Sequence, residues 1–85
     1  MMSAIIMYTT AYCPYCMRAK DLLDGKGVQY KNIDVGAQPE LKTEMMDRSG
    51  QRTVPQIWIN EQHIGGFTDL YALDVQGKLD GMLRK

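Results

Sequence analysis

The hydrophobic residues of this chain fall into short apolar runs and stretches of helical periodicity. Residues 4–8 are continuously apolar, which is typical of a strand covered on both faces. Pro14 suits the first turn of a helix, and apolar residues recur behind it at helical spacing as far as Asp24. We predict a strand followed by a helix, with Gly25 and Gly27 ending the helix. The predicted inner face of that helix carries Cys16, Ala19, Leu22 and Leu23.

A second strand and a second helix are predicted next along the chain. Residues 28–35 are rich in β-branched and aromatic side chains, which favours a strand. Pro39 then opens a helix that Gly50 closes. The inward positions predicted for this helix are Leu41 and Met45.

The remaining third of the chain predicts a hairpin and then helical turns. Residues 56–59 form an apolar run, and a two-residue turn leads into a fourth strand at residues 62–64. Two glycines break that strand, and Thr68 or Asp69 caps a third helix. The inward positions predicted for this helix and for a last short turn are Leu70, Leu73, Val75, Leu79, Met82 and Leu83.

The predicted order of elements is β-α-β-α-β-β-α. A strand, a crossover helix and a second strand form a right-handed unit with parallel strands, and the hairpin adds two antiparallel strands. We therefore predict an α/β fold with a four-stranded mixed sheet flanked by helices. The chain has 85 residues and no linker or low-complexity stretch, so residues 1–85 are predicted to form a single domain.

Charge and composition narrow the range of partners. Lysine plus arginine numbers ten and aspartate plus glutamate also ten, so the basic surplus of proteins that bind nucleic acid or anionic membranes is absent from the sequence. The apolar runs are too short to span a bilayer, and the first is too short for a secretory signal. We expect a cytoplasmic monomer with no nucleic-acid or membrane partner.

The two cysteines, Cys13 and Cys16, are separated only by Pro14 and Tyr15. Residues three apart on a helix share a face, so a disulfide can bridge them with little backbone movement. Such a bond would close one of the smallest possible loops, and stabilisation by a disulfide grows with loop length. In a reducing compartment, close cysteines are also more often catalytic or metal-binding than a permanent crosslink. The pair therefore indicates redox chemistry.

The two thiols are predicted to have different roles. A thiol attacks a disulfide only as its thiolate, and Cys13 precedes a helix whose first amides and positive dipole end favour an anion. We predict that the amides of Tyr15 and Cys16 donate hydrogen bonds to the Cys13 sulfur. Cys16 lies one turn further in and faces the sheet, so its pKa should stay higher. Cys13 is thus the predicted nucleophile and Cys16 the resolving thiol.

The other chemistry-bearing residues favour neither a metal site nor a haem site. Two cysteines and one histidine, His63, leave a zinc site incomplete. A c-type haem site would need histidine after Cys16, where Met17 stands. His63 lies in a predicted hairpin strand and is expected at the surface. We predict no metal and no tightly bound cofactor.

Three motifs taken together resemble those of the glutaredoxins, and in particular the small bacterial dithiol type. They are Cys13-Pro14-Tyr15-Cys16, Thr53-Val54-Pro55, and Gly65-Gly66 followed by Asp69. The resemblance covers residues 5–83. It implies the thioredoxin fold, with a cis peptide bond before Pro55. It also implies a glutathione-dependent thiol–disulfide oxidoreductase that reduces protein–glutathione mixed disulfides and protein disulfides.

The same resemblance implies glutathione as co-substrate and a groove that holds it. The Val54 backbone would pair with the cysteinyl part, and Thr68 and Asp69 would take the γ-glutamyl amine and carboxylate. Tyr15, with Gln51 or Arg52, would flank the glycine end. The full expected set is Tyr15, Gln51, Arg52, Thr53, Val54, Pro55, Gly66, Thr68 and Asp69. The implied protein partners carry disulfides or glutathione adducts, and ribonucleotide reductase is one candidate.

One position departs from the family pattern. Many relatives carry a lysine three residues before the nucleophile, where this chain has Thr10. A cation there would favour both the Cys13 thiolate and the binding of the glycine carboxylate. Arg52 and Lys20 are the candidate replacements.

Two alternatives use the same pair of cysteines. The first is a thioredoxin-like electron donor served by a flavin reductase, although such redoxins typically lack the Thr-Val-Pro and Gly-Gly-Asp motifs. The second is a scaffold that holds an iron–sulfur cluster between two chains with glutathione as an extra ligand. Scaffolds of that kind usually have Gly-Phe-Ser after the first cysteine, and here Pro14 and Tyr15 add rigidity and bulk.

Overall fold

Strands and helices alternate in the predicted order in the computed structural model, which describes residues 4–84. The elements are β1 (Ile5–Thr9), α1 (Pro14–Gly25), β2 (Lys31–Asp34), α2 (Pro39–Ser49), β3 (Gln56–Ile59), β4 (Gln62–Gly65), α3 (Phe67–Val75) and α4 (Leu79–Leu83). The last short turn predicted from the sequence is α4. None of the helices within residues 4–84 is long and apolar enough to cross a membrane.

The four strands form one mixed sheet in the order β2-β1-β3-β4. β1 runs parallel to β2 and antiparallel to β3, and β3 is antiparallel to β4. In this register Tyr8 lies opposite both Ile33 and Gln56. The carboxyl end of β1 therefore lies beside the amino end of β3, and the loops that flank these two ends meet at one edge of the sheet.

Alternate residues of the central strands bury their side chains on opposite faces of the sheet. One face packs against α1, α3 and α4, and its buried residues are Ile5, Met7, Ala19, Leu23, Ile57, Ile59, Leu70, Leu79 and Leu83. The other face packs against α2, and its buried residues are Tyr8, Val35, Met45 and Trp58. Both faces are covered by helices, as the continuous apolar run of β1 predicts.

The second strand is shorter than the sequence predicts. The prediction was residues 28–35, whereas β2 covers Lys31–Asp34. After α1 the chain turns at Gly27, which has a φ of 72°, and the amide of Val28 donates to the carbonyl of Leu23. The hydrogen bond holds the start of this segment at the end of α1, and pairing with β1 begins only at Lys31.

The start and the inner face of α3 also differ from the prediction. Gly66 is the N-cap residue and Phe67 the first helical residue, so neither Thr68 nor Asp69 is the cap. Leu70 is buried as predicted, but Val75 is 68% exposed. Five residues along a helix rotate a side chain by about 140°, which takes Val75 away from the face of Leu70.

Candidate active site

Cys13 lies at the junction between the β1–α1 loop and α1, where it is the N-cap residue. Its Sγ accepts a hydrogen bond from the amide of Cys16 at 3.1 Å. An N-cap side chain satisfies a first-turn amide that has no partner within the helix. Of the two amides predicted to donate to this sulfur, the structure shows Cys16. The predicted bond from Tyr15, the second helical residue, is not formed, and the N-cap sulfur accepts from the third helical residue instead.

Cys16 faces the sheet from the first turn of α1 and is only 1% exposed. Burial, together with a hydrogen bond to Cys13, raises the pKa of its thiol from 9.0 to about 12. The charge of Lys20 lowers the pKa of the same thiol to a smaller extent. Both cysteines are free thiols, and Cys13 is more exposed than Cys16. At neutral pH Cys16 is therefore a neutral thiol beside a more accessible sulfur.

The loop before β3 meets Cys13 at the edge of the sheet where β1 ends and β3 begins. The Cys13 thiol donates to the carbonyl of Val54, with 3.6 Å between sulfur and oxygen. The peptide bond between Val54 and Pro55 is cis, which confirms the expectation drawn from the motifs. Pro55 itself is buried at the start of the strand.

A groove of about 280 Å³ opens beside this loop. It is lined by Tyr15, Gln51, Thr53, Val54, Pro55, Gly66, Phe67, Thr68 and Asp69. The structure thus brings together eight of the nine residues expected to bind glutathione. Arg52 lies outside the lining and is exposed. Its neighbours Gln51 and Thr53 both line the groove.

Phe67 lines the groove although the sequence analysis gave it no role. Its ring lies between those of Tyr15 and Tyr71, with centroid distances of 6.3 Å and 5.7 Å. The guanidinium of Arg18 in turn lies 5.1 Å from the Tyr15 ring centroid. Phe67 follows the two glycines directly, and that position was the only signal in the sequence.

The amino end of α3 closes the groove opposite α1. The Asp69 carboxylate, through Oδ2, accepts a hydrogen bond from the amide of Gly66 at 3.0 Å. Gly65 has a φ of 118°, and a Cβ at this position would overlap the Asp69 carboxylate. Glycine at position 65 therefore allows both the turn and the close approach of Asp69. The wall combines a carboxylate with the positive end of a helix dipole.

His63 is half-buried rather than a surface residue. Its Nε2 lies 2.8 Å from Oε1 of Gln56, and its ring centroid lies 4.7 Å from that of Trp58. The sequence predicted a surface position because His63 lies in a hairpin strand, but in the structure its ring packs against that of Trp58. Within residues 4–84, no three His, Cys, Asp or Glu side chains gather as a metal site would require.

Comparison with known sequences agrees with the motifs. A sequence model of the glutaredoxin family, described as "Glutaredoxin", matches residues 5–64. A Pseudomonas aeruginosa protein named glutaredoxin is 52% identical over 82 residues, covering 96% of this chain and 98% of the relative. Glutaredoxin 3 of Escherichia coli is 49% identical over 83 residues, covering 98% of this chain and all of the relative.

Solved structures give the same result. A crystal structure of a buckwheat glutaredoxin–glutathione complex superposes with a TM-score of 0.90 at 32% identity, over 96% of this chain and 77% of that one. The solution structure of glutaredoxin from Brucella melitensis gives a TM-score of 0.86 at 54% identity, over 96% of this chain and 89% of that one.

Proposed function

The chain belongs to the glutaredoxin family and is a thiol–disulfide oxidoreductase with the thioredoxin fold. From this premise we propose that it uses glutathione to reduce two kinds of substrate, protein–glutathione mixed disulfides and protein disulfides. Glutathione acts as a co-substrate that binds and leaves in each cycle. Cys13 is the nucleophile, Cys16 is the resolving thiol, and the groove beside Val54 selects the glutathionyl half of the substrate.

The observation that carries the proposal is the position of the Cys13 sulfur, 3.6 Å from the Val54 carbonyl that lines the groove. A tripeptide whose main chain pairs with Val54 has its own sulfur next to that of Cys13. Thr68 and the Asp69 carboxylate, at the opposite wall, receive the zwitterionic γ-glutamyl end. Tyr15 and Gln51 flank the glycine end.

The first half of the reaction is an exchange at sulfur. The Cys13 thiolate attacks the glutathionyl sulfur of the mixed disulfide, the original S–S bond breaks, and the substrate thiolate leaves and takes up a proton. Cys13 is then joined to glutathione. The amide of Cys16 donates a hydrogen bond to the attacking sulfur at 3.1 Å.

The second half regenerates the enzyme. A second glutathione, as its thiolate, attacks the bound glutathionyl sulfur, which releases glutathione disulfide and returns the Cys13 thiolate. For a protein disulfide, Cys16 instead attacks the mixed disulfide on Cys13, and two glutathiones later reduce the Cys13–Cys16 bond. Cys16 is buried and must give up its proton before this internal attack, because a thiol attacks a disulfide only as its thiolate. We expect a potential of roughly −200 to −230 mV for the couple.

The test is an assay with a glutathionylated polypeptide, reduced glutathione and a coupled readout of glutathione disulfide. We expect turnover that Cys13→Ser abolishes. Cys16→Ser should retain most of the activity on this substrate, because the cycle through Cys13 alone needs no resolving thiol. The same variant should lose activity on a protein disulfide.

A flavin reductase with its nicotinamide cofactor, in place of glutathione, supplies the contrasting condition. Reduction by that system at a rate comparable with glutathione would support the thioredoxin-like alternative. No glutathione-dependent turnover by the parent protein would refute the proposal.

The proposed partners are proteins with exposed disulfides or glutathione adducts, with ribonucleotide reductase as one candidate. We propose that the protein acts as a monomer in the cytoplasm. A reducing glutathione pool there returns the dithiol to its reduced form after each cycle.

A further inference from the structure

Gln56, the first residue of β3, is a wholly buried polar side chain in an otherwise apolar strand. A buried amide costs free energy unless its hydrogen-bonding groups are satisfied. Its nitrogen donates to Oε1 of Gln51 at 2.9 Å and to the carbonyl and Oγ1 of Thr53 at 3.0 and 3.3 Å. Its oxygen lies 2.8 Å from Nε2 of His63. The amide thus joins β4 to two residues that line the groove.

The chemistry of these partners fixes the direction of every hydrogen bond. A main-chain carbonyl only accepts, so the atom of Gln56 that faces Thr53 is the amide nitrogen. The amide oxygen therefore faces His63, whose Nε2 must carry a hydrogen. Both the Nε2–H tautomer and the imidazolium meet this condition, so the bond persists whichever of these two forms is present.

The same argument orients Gln51. Because Gln56 donates to it, the atom of Gln51 that faces inward is the carbonyl oxygen. The group of Gln51 left for a ligand in the groove is then the amide nitrogen, which is a donor. Without such a partner, an exposed glutamine amide could present either its nitrogen or its oxygen.

We propose that Gln56 is a positioning residue that, anchored by His63, turns the amide nitrogen of Gln51 toward the glycine carboxylate of glutathione. This inference rests on the proposed function. Of Gln51 and Arg52, the two residues expected at the glycine end, only Gln51 lines the groove. The orientation of the Gln51 amide therefore decides whether the glycine end of the groove offers a carboxylate a donor or an acceptor.

The test is Gln56→Met, which keeps the length of the side chain and removes its hydrogen bonds. We compare two mixed disulfides of 2-mercaptoethanol, one with glutathione and one with glutathione whose glycine carboxylate is an amide. The rate of transfer to Cys13 is followed by quenched flow over a range of substrate concentrations. For glutathione we expect the half-saturating concentration to rise about tenfold with an unchanged maximal rate. For the amide analogue it should change little.

Gln62→Met is the matched control, since Gln62 is an exposed glutamine on β4. It should leave the kinetics with both substrates unchanged. The free energy of unfolding and the rate of Cys13 alkylation are measured for each variant to report the fold and the nucleophile. His63→Phe should give a smaller rise with glutathione than Gln56→Met, because the Thr53 carbonyl still holds the amide of Gln56.

Should Gln56→Met fail to fold, Gln51→Glu provides the second variant. It keeps an oxygen toward Gln56 and replaces the donor with a carboxylate, so the rise should be larger for glutathione than for the amide analogue. An equal rise in the half-saturating concentration for both substrates, in whichever variant is measured, would overturn the proposal. Gln56 would then be a structural residue. Parent protein that turns over both substrates with equal half-saturation would also overturn it, whereas turnover of neither would refute the proposed function itself.

Discussion

The main-chain amide of Cys16 donates a hydrogen bond to the sulfur of Cys13 at 3.1 Å. Cys16, whose own thiol is buried, thereby supports the sulfur of Cys13 through its main chain. Because the donor belongs to the backbone, a change of the Cys16 side chain leaves this support in place. The amide donor of Cys16 and its proposed role as the resolving thiol can therefore be separated by mutation.

Alkaline pH should destabilise the reduced protein through Cys16. Its pKa is 9.0 when unfolded and about 12 when folded, so the folded state holds the proton more tightly. The contribution to stability is complete below pH 9.0 and is lost as the pH rises toward 12. The free energy of unfolding should fall by up to about 1.4 kcal/mol per pH unit in this range, and by less where solvent screens the charge.

Urea unfolding between pH 7 and pH 10.5 with a reductant, roughly spanning the ordinary thiol pKa, measures this slope. Cys16→Ala is the reference, because it removes the thiol while other groups, such as Tyr30, still titrate. The predicted signal is the difference between the two slopes. Parallel curves above pH 9.0 would contradict the assigned pKa.

Thr10→Lys should make the Cys13 thiolate more reactive. Thr10 lines an open groove with Ala11, Tyr12 and the Asp34 carboxylate, so a longer side chain has room there. A cation near the sulfur favours the anion, and at this exposed position we expect alkylation by iodoacetamide at pH 7 to become about two- to fivefold faster. The gain should shrink in high salt.

Thr10→Met is the matched control for length without charge. Its alkylation rate should equal that of the parent protein. An equal acceleration by lysine and methionine would show that bulk, and not charge, acts on the sulfur.

Gly65→Ala should destabilise the fold and displace Asp69. The φ of 118° alone costs a side chain about 1–3 kcal/mol, and the new Cβ would overlap the Asp69 carboxylate. Chemical denaturation measures the loss. Gly81→Ala, in α4, is the comparison, since a Cβ added there would have no atom within 4 Å outside its own helical turn. That change should be neutral or stabilising by up to about 1 kcal/mol.

Phe67→Ala should weaken binding of glutathione without changing the chemistry at sulfur. The ring forms part of the groove wall against Tyr15, and its loss should raise the half-saturating concentration about fivefold at a constant maximal rate. Val75→Ala, at the exposed end of the same helix, should have no effect. A fall in the maximal rate alone would contradict a binding role for Phe67.

Local signals explain why much of the fold was predictable from the sequence. Pro14 and Pro39 each begin a helix, and Gly27 and Gly50 adopt positive φ where helices end. Such residues act through their own backbone geometry, so no distant contact is needed to interpret them. The start of β2 was misplaced because the hydrogen bond from Val28 to Leu23 is invisible to a count of β-branched residues.

The residues of the site were predictable where they belong to sequence motifs. They were not predictable where their roles depend on contacts between residues distant in the sequence. The sequence left Gln51 and Arg52 as alternatives, and only the path of the backbone separates them. Phe67 was missed because its partner Tyr15 lies on α1, far away in the sequence. The buried amide of Gln56 was interpreted simply as part of a strand, because nothing near it in sequence reveals His63 as its partner.

The antiparallel contact of β1 with β3 has a consequence for synthesis. Cys13 leaves the ribosome 41 residues before Val54, which is a delay of about 2–8 seconds at ordinary rates of translation. During that interval the growing chain contains both cysteines but lacks residues 51–69, which form most of the groove. Under the proposed function, selectivity toward glutathione is therefore acquired only when the second half of the chain has been made, because a fragment ending at Gly50 carries both thiols but, of the groove, only Tyr15.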